Sequence, residues 1–336
     1  MIFLNNFRKA ITQGKNENTY KMCWAKSLLE ISLNSRGSGT GTVRIPFEDI
    51  SKCFIKYYWD HEIYFKLKQS QNPNKRLEFL QMVEDLIERY FKEVKNREPV
   101  FFIRAESKLL EHPLRERYLK MVKKGISVLK KDVSYKFPVV GGEPLDLYDY
   151  TKGDIEIKIK AEYLKALREN SETLSDVIYF RWAQILENWN YSPKIAQKVK
   201  VITTEGQEEV KRRKNLNWAH PLLELYNPGK KCFLCPSKIL EKMDIHHVLP
   251  YSFMFSDDLW NLVFTHKDCN IAKSNSIPTK KEIDSLKGRN KKLLEILQKR
   301  RDKGTQIIAK EKKIQLEMEV AYEHGYVDKF YNQIKL

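Results

Sequence analysis

Long apolar runs are absent from this 336-residue chain. No stretch approaches the roughly 20 consecutive apolar residues that a bilayer-spanning helix requires, so no membrane partner is expected. The opening MIFLNNFRKAITQG has only a short apolar run and no small-residue cleavage site, which makes a poor secretory signal. Cysteine is scarce. Five residues, three of them in one stretch, are too few and too clustered for a disulfide framework and suit a reducing compartment, so a cytoplasmic location is expected. Cys23 and Cys53 fall in apolar helical patterns and read as small core residues. No internal repeat, heptad array or low-complexity segment stands out. Acidic residues are also short in number, 44 against 61 lysines and arginines, for a net charge of +17. A surplus of that size implies an anionic partner, of which nucleic acid is the commonest.

The length allows two or three domains. Asn18-Thr19 can cap a helix to about Leu33, with Tyr20, Cys23, Trp24, Ser27, Leu28 and Ile31 at helical spacing. The glycine- and serine-rich run from Asn34 to Thr42 reads as a mobile loop. Further helices are expected after Pro46, over Leu77 to Val94, and over Ser107 to Leu129. After Lys131 the character changes. Val139-Val140-Gly141-Gly142 reads as a strand entering a turn, and Asp154 to Lys160 alternates polar and apolar like a half-exposed strand. A helix over Thr173 to Trp189 carries an aromatic and aliphatic core stripe. After Pro278 apolar residues recur among many lysines. The expected fold class is α+β. It comprises a helical domain over 1–125, a mixed α/β recognition or regulatory segment over 126–215, a compact metal-bearing module over 216–282, and a helical basic tail over 283–336.

The chemistry concentrates between Cys232 and Lys273. A zinc site needs two ligand pairs, each on a tight turn, so that all four reach one tetrahedral ion. Cys232-x-x-Cys235 supplies one pair and His266-x-x-Cys269 the other. Hydrolysing a phosphodiester needs a base for water, a cation beside the phosphate, and positive charge to hold the backbone. His247 can be the base, because an imidazole is partly neutral near neutral pH. His246 and Asn270 can hold the cation, leaving positions open for water and phosphate oxygens. If this stretch is helical, Lys273 lies one turn after Asn270 and could reach a phosphate. The short basic run Lys211-Arg212-Arg213-Lys214 is a solvated linker in isolation and a plausible phosphate contact beside a nuclease site. Adjacent strand residues point to opposite faces, so the two histidines converge only where the strand ends and Val248-Leu249-Pro250 turns away.

Taken together, Cys232/Cys235, His246-His247-Val-Leu-Pro250, Asn261 and His266-x-x-Cys269-Asn270-Ile-Ala-Lys273 resemble the HNH, or ββα-metal, nuclease family. The resemblance covers about residues 230 to 275. It implies a β-hairpin bearing the histidines and a helix bearing the last asparagine. It makes His247 the general base and His246 and Asn270 the ion ligands, with Asn261 orienting His247 through a hydrogen bond to its backbone. The implied reaction leaves 5′-phosphate and 3′-hydroxyl ends, with Mg2+ or Mn2+ as catalytic ion and Zn2+ as a structural one. Many relatives carry aspartate where His246 stands. The histidine variant occurs in the colicin-type nucleases and favours softer ions, so Ni2+ is also a candidate. His266 replaces the usual third cysteine and is itself a competent zinc ligand.

The run Pro250 to Leu262 is similar to that of stand-alone bacterial HNH proteins of restriction and phage defence. The leading expectation is therefore a DNA endonuclease in which residues 1 to about 215 select or regulate, alone or through a regulatory partner. A homodimer would account for double-strand cutting. The alternative is a zinc-containing nucleic-acid-binding protein without catalysis.

Overall fold

The computed structural model describes residues 2–299 apart from 36–39, 73–75, 191, 204–205, 209–214, 236, 241–242, 274–275 and 277. The fold is mixed α+β, mostly helical, with small two-stranded sheets. The chain divides into two compact units. Unit 1 is Met1–Asn190 with Ile195–Val210, and unit 2 is Tyr191–Lys194 with Lys211–Leu336.

Unit 1 is built around two helices that are apolar on nearly every side, α2 (Tyr20–Asn34) and α3 (Phe47–Phe65). A helix buried all round belongs in the middle of its domain. Trp24 of α2 and Trp59 of α3 are both sealed from solvent. α3 starts directly after Pro46, carries Glu48 and Asp49 in its first turn, where the helix dipole favours acids, and ends at Lys66 in the left-handed region. α1 (Ile2–Gln13) is the segment that reads in sequence as a short apolar run. Its Phe3, Phe7, Ala10 and Ile11 are spaced four, three and one apart and form one buried face. The helix expected over Ser107 to Leu129 is two helices, α5 (Phe102–Leu109) and α6 (Leu114–Lys131). The break falls at Pro113, which has no N–H to continue the ladder. α4 (Glu78–Val94) packs against α3 and α6.

The expected boundary near residue 125 does not separate two bodies. β1 (Thr42–Pro46) pairs antiparallel with β4 (Glu156–Lys160), from Thr42 opposite Lys160 to Pro46 opposite Glu156. α7 (Val133–Lys136), α8 (Ala161–Glu169) and α9 (Ser171–Glu187) then pack on α2. The later segment completes the core of the earlier one: Ile157 and Ile159 alternate inward, and Trp182 of α9 is fully buried. The short hairpin of β2 (Val139–Val140) and β3 (Glu143–Pro144) turns through Gly141 and Gly142, both at positive φ.

In unit 2, β5 (Asp244–His247) and β6 (Leu262–Thr265) form an antiparallel pair with His246 opposite Val263 and His247 opposite Leu262. Every residue of β6 is buried, and the strand alternation divides them between two cores. Leu262 and Phe264 join Ala219, Leu223, Leu293 and Leu297. Val263 joins Val248, Trp260, Ile283 and Leu286. The helix Lys280–Lys299 therefore contributes to both cores and is integral to the module, which corrects the expected division at residue 282. A capping box starts that helix: Thr279 Oγ1 accepts from the Glu282 N–H, and Glu282 accepts from the Thr279 N–H and hydroxyl. Farther along, buried Arg289 donates to the carbonyls of Trp260 and Leu262 at 2.8 and 2.7 Å, and Asn290 donates to Trp260 at 2.9 Å. These bonds satisfy carbonyls of the turn that carries Asn261. The rest of the basic tail, 300–336, lies outside the described residues.

Candidate active site

The first cluster of unit 2 is made by two turns. Cys232 to Cys235 sit on a turn closed by Cys232 N–H to the Ser237 carbonyl, and Phe233 N–H ties that turn to the Phe264 carbonyl at the end of the sheet. The helix Lys267–Lys273 starts just after His266 and carries Cys269. The ligand atoms of Cys232, Cys235, His266 and Cys269 all lie within 4.8 Å of one another. Cys235 Sγ is 3.4 Å from His266 Nδ1, Cys269 Sγ is 3.8 Å from the same nitrogen, and the two sulfurs are 3.9 Å apart. Zinc–sulfur bonds of about 2.3 Å set tetrahedral edges near 3.8 Å, so the four residues fit a zinc ion. His266 Nε2 faces the Lys238 carbonyl at 3.3 Å. That bond places the ring proton on Nε2 and leaves the Nδ1 lone pair toward the sulfurs. The Ser237 amide, donating to Cys235, holds that thiol down to about 7, which favours a thiolate ligand.

The second cluster lies at the end of β5. His246 and His247 are only 6 % and 8 % exposed. Adjacent in a strand, they turn to different partners. His246 Nδ1 lies 2.6 Å from Asn270 Oδ1. An amide oxygen only accepts, so the Nδ1 proton points at Asn270 and the Nε2 lone pair is unspent. Nε2 is buried and has no hydrogen-bond partner among the described residues. Asn270 in turn donates to Asp244 Oδ2 at 3.3 Å. Burial pulls the His246 imidazole down to about 4, with the charges of His247 and Lys273 acting in the same direction. The ring is therefore neutral near neutral pH, as a metal ligand must be. With the ring proton moved to Nε2, the Nδ1 lone pair and the Asn270 amide oxygen face one point, with the Asp244 carboxylate bonded to the same amide, and these donors fit a divalent cation.

His247 Nε2 lies 2.8 Å from Asp257 Oδ1, and its ring meets Tyr251 edge-on at 5.5 Å. Asn261 is 1 % exposed, and its side chain clamps Leu249 rather than the His247 backbone expected from sequence. Asn261 Oδ1 accepts from the Leu249 N–H at 2.7 Å, and Nδ2 donates to the Leu249 carbonyl at 2.9 Å. The Val248 N–H reaches the Asn261 carbonyl, so the main-chain contact falls one residue past His247. The ladder ends at His247, and the side-chain clamp belongs to the departing turn. Lys273 is 10 % exposed at its side chain and lies 3.1 Å from the Glu282 carboxylate. It adds positive charge beside His246 as one half of an ion pair. Lys211, Arg212 and Arg213 lie outside the described residues.

Asp257, Asp244, Glu282 and Arg289 were not singled out from sequence. The only signal for Asp257 was the acidic pair Asp257-Asp258 in the stretch between Pro250 and Asn261.

The family model described as HNH endonuclease matches residues 234–279, the span that holds Cys235, both histidines, Asn261 and the Asn270 helix. The match supports an HNH domain here, with nuclease-type hydrolysis as its chemistry and nucleic acid as its substrate class. The chain belongs to the family described as a domain of unknown function, DUF8808, whose model covers residues 3–203, more than half of its length. No curated protein and no solved structure matches the chain. No helix among the described residues is long and apolar enough to cross a membrane.

Proposed function

We propose that this protein is a metal-dependent DNA endonuclease whose HNH module cuts and whose unit 1 selects or regulates. The observation that supports this most is the 2.6 Å approach of His246 to Asn270, with a buried His246 nitrogen left unbonded beside a second histidine held by a carboxylate. Asp257 occupies His247 Nε2, so Nδ1 is the nitrogen that takes the proton from the attacking water. Asp257 fixes the ring and stabilises its positive charge after that transfer. Asn261 sets the angle at which the chain leaves β5 and so holds the His247 backbone indirectly. His246 and Asn270 would hold a divalent ion, which would supply charge neutralisation for the phosphate and the leaving oxygen. Magnesium or manganese is the proposed ion, with nickel also accommodated by the imidazole. Lys273, paired with Glu282, tunes the field at His246.

The products are 5′-phosphate and 3′-hydroxyl ends. A cytoplasmic restriction or phage-defence role rests on the likeness of the Pro250 to Leu262 run to such proteins, and double-strand cutting would take a homodimer. The test is incubation of the purified protein with plasmid and phage DNA across magnesium, manganese, nickel and zinc, with end-mapping of products. Ion-dependent nicks or breaks bearing 5′-phosphates are expected. DNA binding without cutting under every ion would instead favour a non-catalytic zinc-containing binding protein.

A further inference from the structure

Helix α6 of unit 1 supplies none of the residues of the nuclease site, yet its outward side carries a run of cations. Leu114, Tyr118, Met121, Val122, Val128 and Leu129 are buried. Across the helix from them stand Lys120 and Lys123, exposed, and Lys130, half-exposed, with exposed Arg117 on the flank that Lys124 and Lys131 share. The helix has a single acid, Glu116. Glu78 of α4 neutralises one flank, reaching Lys124 at 3.7 Å and Lys131 at 3.2 Å. Arg117, Lys120, Lys123 and Lys130 form no ion pair among the described residues. Cations elsewhere in the unit commonly have a carboxylate beside them: Lys52 with Glu48, Lys56 with Glu30, Lys136 with Asp132, Arg44 with Glu156.

Like charges three residues apart repel one another and destabilise a free helix. A helix needs only its buried stripe to fold, so these outward cations add nothing to packing. A polyanion relieves the repulsion. From Arg117 to Lys130 the helix rises about 20 Å, enough to follow a DNA strand past several phosphates. We propose that α6 is a phosphate-binding face by which unit 1 grips duplex DNA. The choice of DNA as the polyanion rests on the nuclease reading above. Contacts of this kind position a protein without reading bases, so α6 contributes affinity and not sequence choice.

The test uses the full chain with His247→Ala, so that the DNA stays intact. Binding to short duplexes of unrelated sequence is measured by fluorescence anisotropy between about 50 and 200 mM salt. Arg117, Lys120, Lys123 and Lys130 are replaced together by Gln, which keeps helix propensity. The slope of log affinity against log salt is expected to fall by about 3 to 4, and affinity near 0.15 M salt by roughly tenfold or more, on every sequence alike. A charge-matched control, Lys92, Lys152, Lys158 and Lys165 all to Gln, is expected to change the slope by less than about 1. Melting curves verify folding, and single Arg117→Gln and Lys120→Gln variants carry the measurement if the quadruple variant is unstable. An unchanged slope, or a loss seen only on vesicles of anionic phospholipid, overturns the proposal. Failure of the parental protein to cut DNA under any divalent ion would strike the nuclease reading, while the salt slope still decides α6.

Discussion

His61 in unit 1 and His246 in unit 2 are alike in burial and basicity. Each is nearly sealed from solvent, and burial pulls each imidazole down to about 4. They differ in what their nitrogens touch. His61 Nδ1 accepts from Gln69 Nε2 at 3.3 Å, and its Nε2 proton points to the Val199 carbonyl at 3.4 Å. No lone pair is left over. His246 spends Nδ1 on Asn270 and leaves Nε2 buried and unbonded. An unsatisfied buried polar group costs about 1–3 kcal/mol, which His61 avoids and His246 carries. Burial and a depressed pKa are thus common to a core residue and a site residue. The unused lone pair separates them.

The largest effect expected to sharpen this contrast is on the metal side. Cys232→Ser, or removal of zinc by chelation, should unfold unit 2, because structural zinc contributes about 10–16 kcal/mol in small zinc domains. Calorimetry together with zinc analysis checks it; unchanged melting with unchanged zinc content would contradict the site. Next, His246→Ala should reduce cleavage more than roughly a hundredfold, since a catalytic ion supplies several kcal/mol of transition-state stabilisation. Its thermal stability should hold or rise. His61→Ala should do the reverse, costing about 2–4 kcal/mol by leaving a cavity and unpaired partners while cleavage per folded molecule stays constant. If both variants lose activity to the same degree at matched folded fraction, the contrast fails.

Acid probes the same pair without substitution. The folded His61 value is depressed from 6.5 to about 4, so the unfolded state binds the extra proton first. The stabilising effect of keeping His61 neutral is full above about pH 6.5 and is lost as pH falls toward 4, by up to about 3 kcal/mol. Burial pushes the neighbouring Asp60 carboxyl up to about 7, which acts in the opposite sense over this window, so the check is the difference: from pH 7 to pH 4 the parental protein should lose stability relative to His61→Gln in denaturant melts. The smallest effect expected is that of Asp257→Asn, about tenfold to a hundredfold in cleavage rate with KM little changed, because the carboxylate acts by orienting His247. A full-rate Asp257→Asn enzyme would remove it from the mechanism.

Much of unit 1 was legible in sequence where periodicity runs long. α2, α3, α4 and α9 declare themselves through apolar stripes, and β4 through strict alternation. α1 is less legible, because its stripe of Phe3, Phe7, Ala10 and Ile11 spans only three turns and starts with the apolar run Ile2-Phe3-Leu4. β1 falls between the glycine-rich run that ends at Thr42 and the helix after Pro46, and its five residues, with only Val43 and Ile45 to alternate, are too few to declare a strand. Its pairing with β4, across more than a hundred residues of chain, has no local signature. The same holds in unit 2. The four candidate zinc ligands, both histidines and Asn270 are marked by spacing alone. Asp257 meets His247 only because Asn261 clamps Leu249 and sets the path of the intervening turn. Arg289 reaches that turn only once the C-terminal helix is folded into both cores.

The most direct measurement is single-turnover cleavage of plasmid DNA by His247→Ala beside the parental protein, with melting and DNA affinity measured on the same samples. Loss of a general base should slow cleavage by about 10²–10⁴-fold while folding and binding stay at parental levels. Cutting at the parental rate by a folded, DNA-binding His247→Ala protein would contradict a hydrolytic site at the end of β5.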